Sequence, residues 1–109
     1  MKGNDDMLNQ VIVLGRLRKV VDLGDKAVVT IANTRPYKNT EGEYKEDLID
    51  FIIFGHIKES LVEYCRQGDI IAIHGRIQTR NEEVEKITEL VADKISFLSA
   101  SKQEDIKDE

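Results

Sequence analysis

"LIDFIIFGHIKESLVEYCRQGDIIAIHGRIQTR", residues 48–80, changes its hydrophobic period twice. From Leu48 to Phe54 the period is two: Ile49, Phe51 and Ile53 share one face, and Leu48, Asp50, Ile52 and Phe54 share the other, as in a strand. From Ile57 to Arg66 the period is helical. Ile57, Leu61, Tyr64 and Cys65 form one stripe, with Lys58, Glu59, Glu63 and Arg66 mostly opposite. Gly68 is the expected helix stop. From Asp69 to Arg80 the period returns to two, placing Arg76, Gln78 and Arg80 opposite Ile73, Gly75 and Ile77. The stretch therefore reads strand, helix, strand.

Upstream, Ala27 to Thr34 reads as a strand with Val29 and Ile31 on one face, and "NTEG" turns the chain towards residue 48. Pro36 has no N–H for a ladder and is expected to stop regular pairing. "DLGDK" is a turn around Gly24, preceded by a strand from Leu8 to Leu17. Downstream, Val84 to Phe97 reads as a last strand that breaks near Asp93. The order strand, strand, strand, helix, strand, strand suits an all-β, five-stranded Greek-key barrel of the OB type, its one helix between strands three and four. Other small α+β folds fit the same order.

A chain of 109 residues with 40% hydrophobic content supports one core. Residues 7–99 are expected to form the domain, residues 1–6 a flexible N-terminus, and residues 100–109 a short, acidic, disordered tail. Asp5, Asp6, Glu104, Asp105, Asp108 and Glu109 of those ends contribute to the net charge of −5, so the overall sign says little about any one face. No apolar run is long enough to span a bilayer, and no signal sequence opens the chain. The single cysteine, Cys65, cannot form an internal disulfide, which fits a reducing, cytoplasmic setting.

Catalytic chemistry has little to stand on. His56 and His74 are the only histidines, and neither has a cysteine or second histidine at metal-ligand spacing. Cys65 lies on the apolar stripe of the helix, as a small hydrophobe. The glycines build no phosphate loop. The expectation is a protein that is not an enzyme and takes no metal or cofactor.

A binding face has more support. Arg76 and Arg80 alone read equally well as solubilising charge. The outward parity of the third strand, however, carries Leu48, Ile52 and Phe54, apolar where polar residues are expected. Apolar or aromatic platforms beside cations suit the bases and phosphates of a single nucleic-acid strand. The segment "TRPYKNTEGEYK", residues 34–45, interleaves Arg35, Tyr37, Lys38, Tyr44 and Lys45 in one projecting hairpin. Pairing of Tyr37 with Tyr44 across that hairpin is an equally simple reading. In the first strand Val11, Val13 and Leu17 face one way while Ile12 and Leu14 face the other. Such a strand is covered on both sides, by the core on one and by a partner subunit or the domain's own helix or tail on the other.

The chain resembles the bacterial single-stranded DNA-binding proteins that coat replicating DNA. The resemblance rests on "MLNQVIVLGRL", "NTRPYKNTEGEYKEDLIDFIIFG", "EYCRQGDIIAIHGRIQTR" and "ITELVADKISFL", which occur in order over most of residues 7–98. It implies an OB-fold and a homo-oligomer, a tetramer rather than a dimer, with first strands (Val11, Ile12, Val13 and Leu14) pairing between subunits. It also implies sequence-independent binding of single-stranded DNA in replication, recombination or repair, with replication and repair proteins as further partners. Base-stacking positions of the family fall on Tyr37, Leu48, Phe54 and Glu82, and its basic positions on Lys38, Lys45, Arg66 and Arg80. Leu48 and Glu82 stand where aromatics are usual, and Asp50 where some members have arginine.

The turn before Ala27 and the loop "NEEVEK", residues 81–86, are shorter than in the family. The chain ends in "EDIKDE", acidic but without the terminal phenylalanine that closes the family's acidic tip. A lower affinity is expected from these departures, in a short form of the accessory, mobile-element or phage type. The competing reading is an OB-fold adaptor of the primosomal, replication-restart type that binds single strands weakly.

Overall fold

The computed structural model describes residues 7–98. Its elements run β1 (Val11–Asp22), β2 (Lys26–Lys38), β3 (Tyr44–Phe54), α1 (Gly55–Tyr64), β4 (Ile70–Glu82) and β5 (Glu85–Phe97). The strands close into a barrel in the order β1-β2-β3-β5-β4. Every pairing is antiparallel except the short parallel contact of β3 with β5 at Ile52 and Val91. This is the five-stranded barrel with one helix between β3 and β4 expected of an OB-fold. The calls on residues 1–6 and 100–109 lie outside the described residues.

The period-two reading of β3 decides its packing. Phe51 and Ile53 are fully buried, while Leu48 and Phe54 stay 60% and 46% exposed. Val29 and Ile31 from β2 and Ile71 and Ile73 from β4 fill the same interior. Closing five strands over so small a core brings backbones close at two glycines. A Cβ on Gly15 would stand 2.5 Å from the Ala32 carbonyl oxygen, and one on Gly75 would collide with the Val91 carbonyl. Gly75→Ala should cost about 1–3 kcal/mol through overpacking against backbone. An unchanged thermal midpoint for that variant would contradict the close approach.

The helix closes one end of the barrel. Leu61 enters the core, and Cys65 follows it immediately after the last helical turn. Burial pushes the Cys65 thiol up to about 11, aided by the neighbouring Asp69 charge, so it packs as a hydrophobe. Helix α1 ends at Tyr64, earlier than the expected stop. Cys65 is already extended, its N–H still donating to the Leu61 carbonyl at 3.0 Å. Gly68, at φ +96°, serves the following turn instead, donating to the Leu17 carbonyl at 2.8 Å. Lys58 holds the helix against the β1–β2 turn through Asp22 Oδ1 at 2.7 Å and the Gly24 carbonyl at 2.5 Å.

Two irregularities have visible causes. Pairing of β2 with β3 slips between Thr34 and Lys38, a span that contains Pro36. The strand nevertheless resumes at Lys38↔Tyr44 rather than stopping. On β5, His74 pairs with Lys94 but Gly75 pairs with Ala92, leaving Asp93 as the extra residue of a bulge. The sequence places a break there; the structure bends the strand without ending it.

Candidate nucleic-acid interface

Strand register builds the site row by row, because residues paired across an antiparallel ladder share a face. On the outer face of β1, β2 and β3, Val21 pairs with Val28, and Val28 with Ile52. Lys19 pairs with Thr30, and Thr30 with Asp50. Arg16, Ala32 and Leu48 make a third row, and Lys26 stands beside Phe54. An apolar stripe is thus edged by cations across three strands. Its central groove, about 470 Å³ in volume, continues onto β5 at Thr88, Glu89 and Leu90. The Thr30 hydroxyl donates to Asp50 Oδ1 at 2.6 Å, which fixes that carboxylate in the groove.

The β2–β3 hairpin extends beyond this face as an arm. Asn39 organises its turn: its side-chain oxygen accepts from the Glu41 N–H at 2.8 Å and the Glu43 N–H at 2.9 Å, an Asx arrangement. Gly42 supplies the φ of +79° that the turn requires. Tyr37 and Tyr44 are 63% and 55% exposed. They do not form the register pair: Tyr44 lies opposite Lys38, whose ammonium stands 5.7 Å from the Tyr44 ring centroid. Tyr44 and Lys38 therefore brace each other, while Tyr37 presents an open ring.

The named cations divide by their partners. Lys45 is exposed on the arm. Arg35 is clamped by Asp47 through two bonds of 2.9 and 3.0 Å. Those bonds raise the Arg35 pKa and hold the Asp47 carboxyl below its usual range. Arg80 donates to Glu89 at 2.9 Å and to Glu82 at 3.1 Å. Hydrogen bonds from Gln78 and Arg80 hold the Glu89 carboxyl down, and Glu89 itself lines the groove, so Arg80 belongs to its edge. Arg76 is ion-paired with Asp93, which lines a separate cleft between β5 and α1. Arg66 stands apart, in the loop 65–69 between α1 and β4. Glu82 closes the β4–β5 hairpin, whose tip places Glu83 at φ 59°.

Arg18, Lys19 and Lys26 are additions that sequence reasoning missed. Arg18 sits in a bulge of β1 and donates to Glu46 on β3 at 2.8 Å. The signal was present as "GRLRKV", residues 15–20, with three cations in six positions. Reading the first strand only as far as Leu17 hid it; β1 runs on to Asp22.

On the opposite side of the barrel, Val11, Val13 and Leu17 turn towards the core, whereas Ile12 and Leu14 remain 55% and 50% exposed. This segment pairs with β4, while pairing with β2 begins at Arg16. Of the covers considered for this face, the domain's helix does not reach it, since Ile12 and Leu14 stay exposed and α1 packs mainly on β5, β3 and β2; the tail lies outside the described residues. His56 is fully exposed near Glu59, and His74 is half-buried opposite Ile12. Among the described residues no three His, Cys, Asp or Glu side chains gather as a metal site, and no helix is long and apolar enough to cross a membrane.

Comparison with known proteins gives this geometry a context. The chain is 34% identical over 113 residues to Single-stranded DNA-binding protein B of Bacillus subtilis, covering 94% of this chain and 100% of that one. It is 38% identical over 103 residues to the Single-stranded DNA-binding protein of Oceanobacillus iheyensis, covering 84% of this chain and 64% of the relative. The fold superposes on the Plasmodium falciparum SSB, solved as a complex with ssDNA, with a TM-score of 0.62 at 23% identity over 85% of this chain and 96% of that one. A small single-stranded DNA binding protein from Mycoplasma pneumoniae gives 0.63 at 22% identity, over 82% and 92% of the two chains. The model of the single-strand binding protein family matches residues 8–98, and the chain belongs to that family.

Proposed function

We propose that this chain binds single-stranded DNA without sequence preference, on the outer face of β1–β3 and along the β2–β3 arm. The observation that carries the proposal is the apolar stripe Val28, Ile52, Leu48 and Phe54 on β2 and β3, with Leu48 and Phe54 exposed, edged by Arg18, Lys19 and Lys26. Bases stack on Phe54 and Tyr37 and pack on Leu48. Phosphates meet Arg35, Lys38, Lys45 and Arg80, with Arg66 and Arg76 engaged only where a strand wraps further round the barrel. Stacking tolerates any base because every base offers a π-face.

The protein assembles as a homo-oligomer, a tetramer in this proposal, through first strands that bring Ile12 and Leu14 against a second copy. It serves replication, recombination or repair on cytoplasmic, nucleoid DNA. The names of its relatives support the single-stranded DNA reading, and the exposure of Ile12 and Leu14 supports the assembly.

The test is a fluorescence titration with oligo-dT at two salt concentrations. Submicromolar binding is expected, with log K falling by about 0.7 per phosphate neutralised as log salt rises. Negligible binding at both concentrations, with a replication protein co-purifying, would favour the adaptor reading.

A further inference from the structure

Four arginines on or beside the proposed face are already neutralised by the protein itself, whereas Arg16, among the described residues, donates only to the Gly68 carbonyl. Arg35 is held by both oxygens of Asp47, at 2.9 and 3.0 Å. Arg18 meets Glu46 at 2.8 Å, Arg80 meets Glu89 at 2.9 Å, and Arg76 meets Asp93. Lys19 and Lys45, by contrast, form no ion pair among the described residues. These four arginines are thus paired in advance, while the point charges of Lys19 and Lys45 stand open.

The Arg35–Asp47 geometry is the planar fork that a guanidinium also offers a phosphate. Both side chains are 44% exposed, and Arg18 and Glu46 are each 45% exposed. Surface pairs of this kind contribute little to stability. An incoming phosphate can therefore exchange with the carboxylate without disturbing the barrel.

Resting on the single-strand reading above, we propose that Asp47 and Glu46 are affinity-setting residues. Each occupies the phosphate position of its arginine and must be displaced when DNA binds. An arginine paired with a carboxylate carries no net charge towards DNA. Its contact releases fewer counterions than a free cation would, and the salt dependence is shallower than the number of basic residues implies. The carboxylates hold the affinity and its salt sensitivity below what the basic residues alone would give.

The experiment compares oligo-dT titrations at two salt concentrations for the unaltered chain, Asp47→Asn, Glu46→Gln and Glu59→Gln. Glu59 is 77% exposed on α1, away from the face, so its variant makes the same change in net charge elsewhere. Asp47→Asn and Glu46→Gln should each tighten binding by about fivefold at the lower salt, the effect of one unit charge at about 4 Å in water. Each should also steepen the salt slope by about 0.7, while Glu59→Gln changes neither quantity.

The two face variants act on different arginines, so either one that keeps the parent's thermal midpoint suffices. If the unaltered chain binds and the face variants match it, bind more weakly or behave like Glu59→Gln, the proposal is overturned. If the unaltered chain binds no oligo-dT, the single-strand reading has failed first, and this inference falls with it.

Discussion

Replacing Tyr37 and Phe54 together by alanine should lower the affinity for oligo-dT by about thirtyfold or more, because each stacked base contributes about 1–3 kcal/mol. The two rings make different kinds of site. Phe54 is 46% exposed at the end of β3, beside Lys26 and immediately before the helix, so its backbone is held by barrel and helix together. Tyr37 is 63% exposed on the arm, inside the register slip around Pro36, where the ladder does not restrain it. Phe54→Ala should therefore raise the off-rate of a short oligonucleotide, and Tyr37→Ala should matter most for strands long enough to reach the arm. Tyr64→Ala is the control: that ring packs on Phe97 at 6.2 Å between centroids, away from the groove. An affinity lowered by Tyr64→Ala and untouched by the double variant would place the binding face elsewhere.

The second large effect concerns assembly. Ile12→Asp or Leu14→Asp should convert the oligomer to smaller species. A two-fold interface repeats every substitution, and an ion buried there without a partner costs on the order of several kcal/mol. Both positions are about half exposed in the single chain, at 55% and 50%, so the barrel should tolerate the charge while the assembly should not. Light scattering reads the change in mass, and thermal melting checks that the fold survives. A wild-type chain that scatters as a monomer would contradict the interface role of β1 outright.

The barrel was legible because its signals are local. A period of two in β3 and β4, a helical period between them and turn residues at Gly24 and Gly42 assign each element independently of the others. Two errors arose where tertiary pairing outweighs residue preference. Regular pairing does stop at Pro36, as its missing N–H implies, but the strand reading that ends at Thr34 is too short, since pairing resumes at Lys38. Gly68 was read as the helix stop, whereas Cys65 leaves the helix earlier to reach the core.

The site was legible in its rings and less so in its charges. Exposure of Leu48 and Phe54 follows from strand parity alone. The pairing of Arg35 with Asp47, or of Arg80 with Glu89, depends on which strands become neighbours, and residues nine and twelve positions apart give no such signal in the sequence. The same limitation hid Lys26, whereas Lys19 was signalled by the cation cluster at residues 15–20. Their places on the face follow from register with Thr30 and Phe54.

The most direct test of the binding face is amide chemical-shift mapping of the ¹⁵N-labelled protein titrated with oligo-dT. Perturbations should concentrate at residues 18–28 on β1 and β2, at 35–38 on the arm and at 44–54 on β3. Perturbations confined to β4 and the helix, or none at saturating oligonucleotide, would contradict the account.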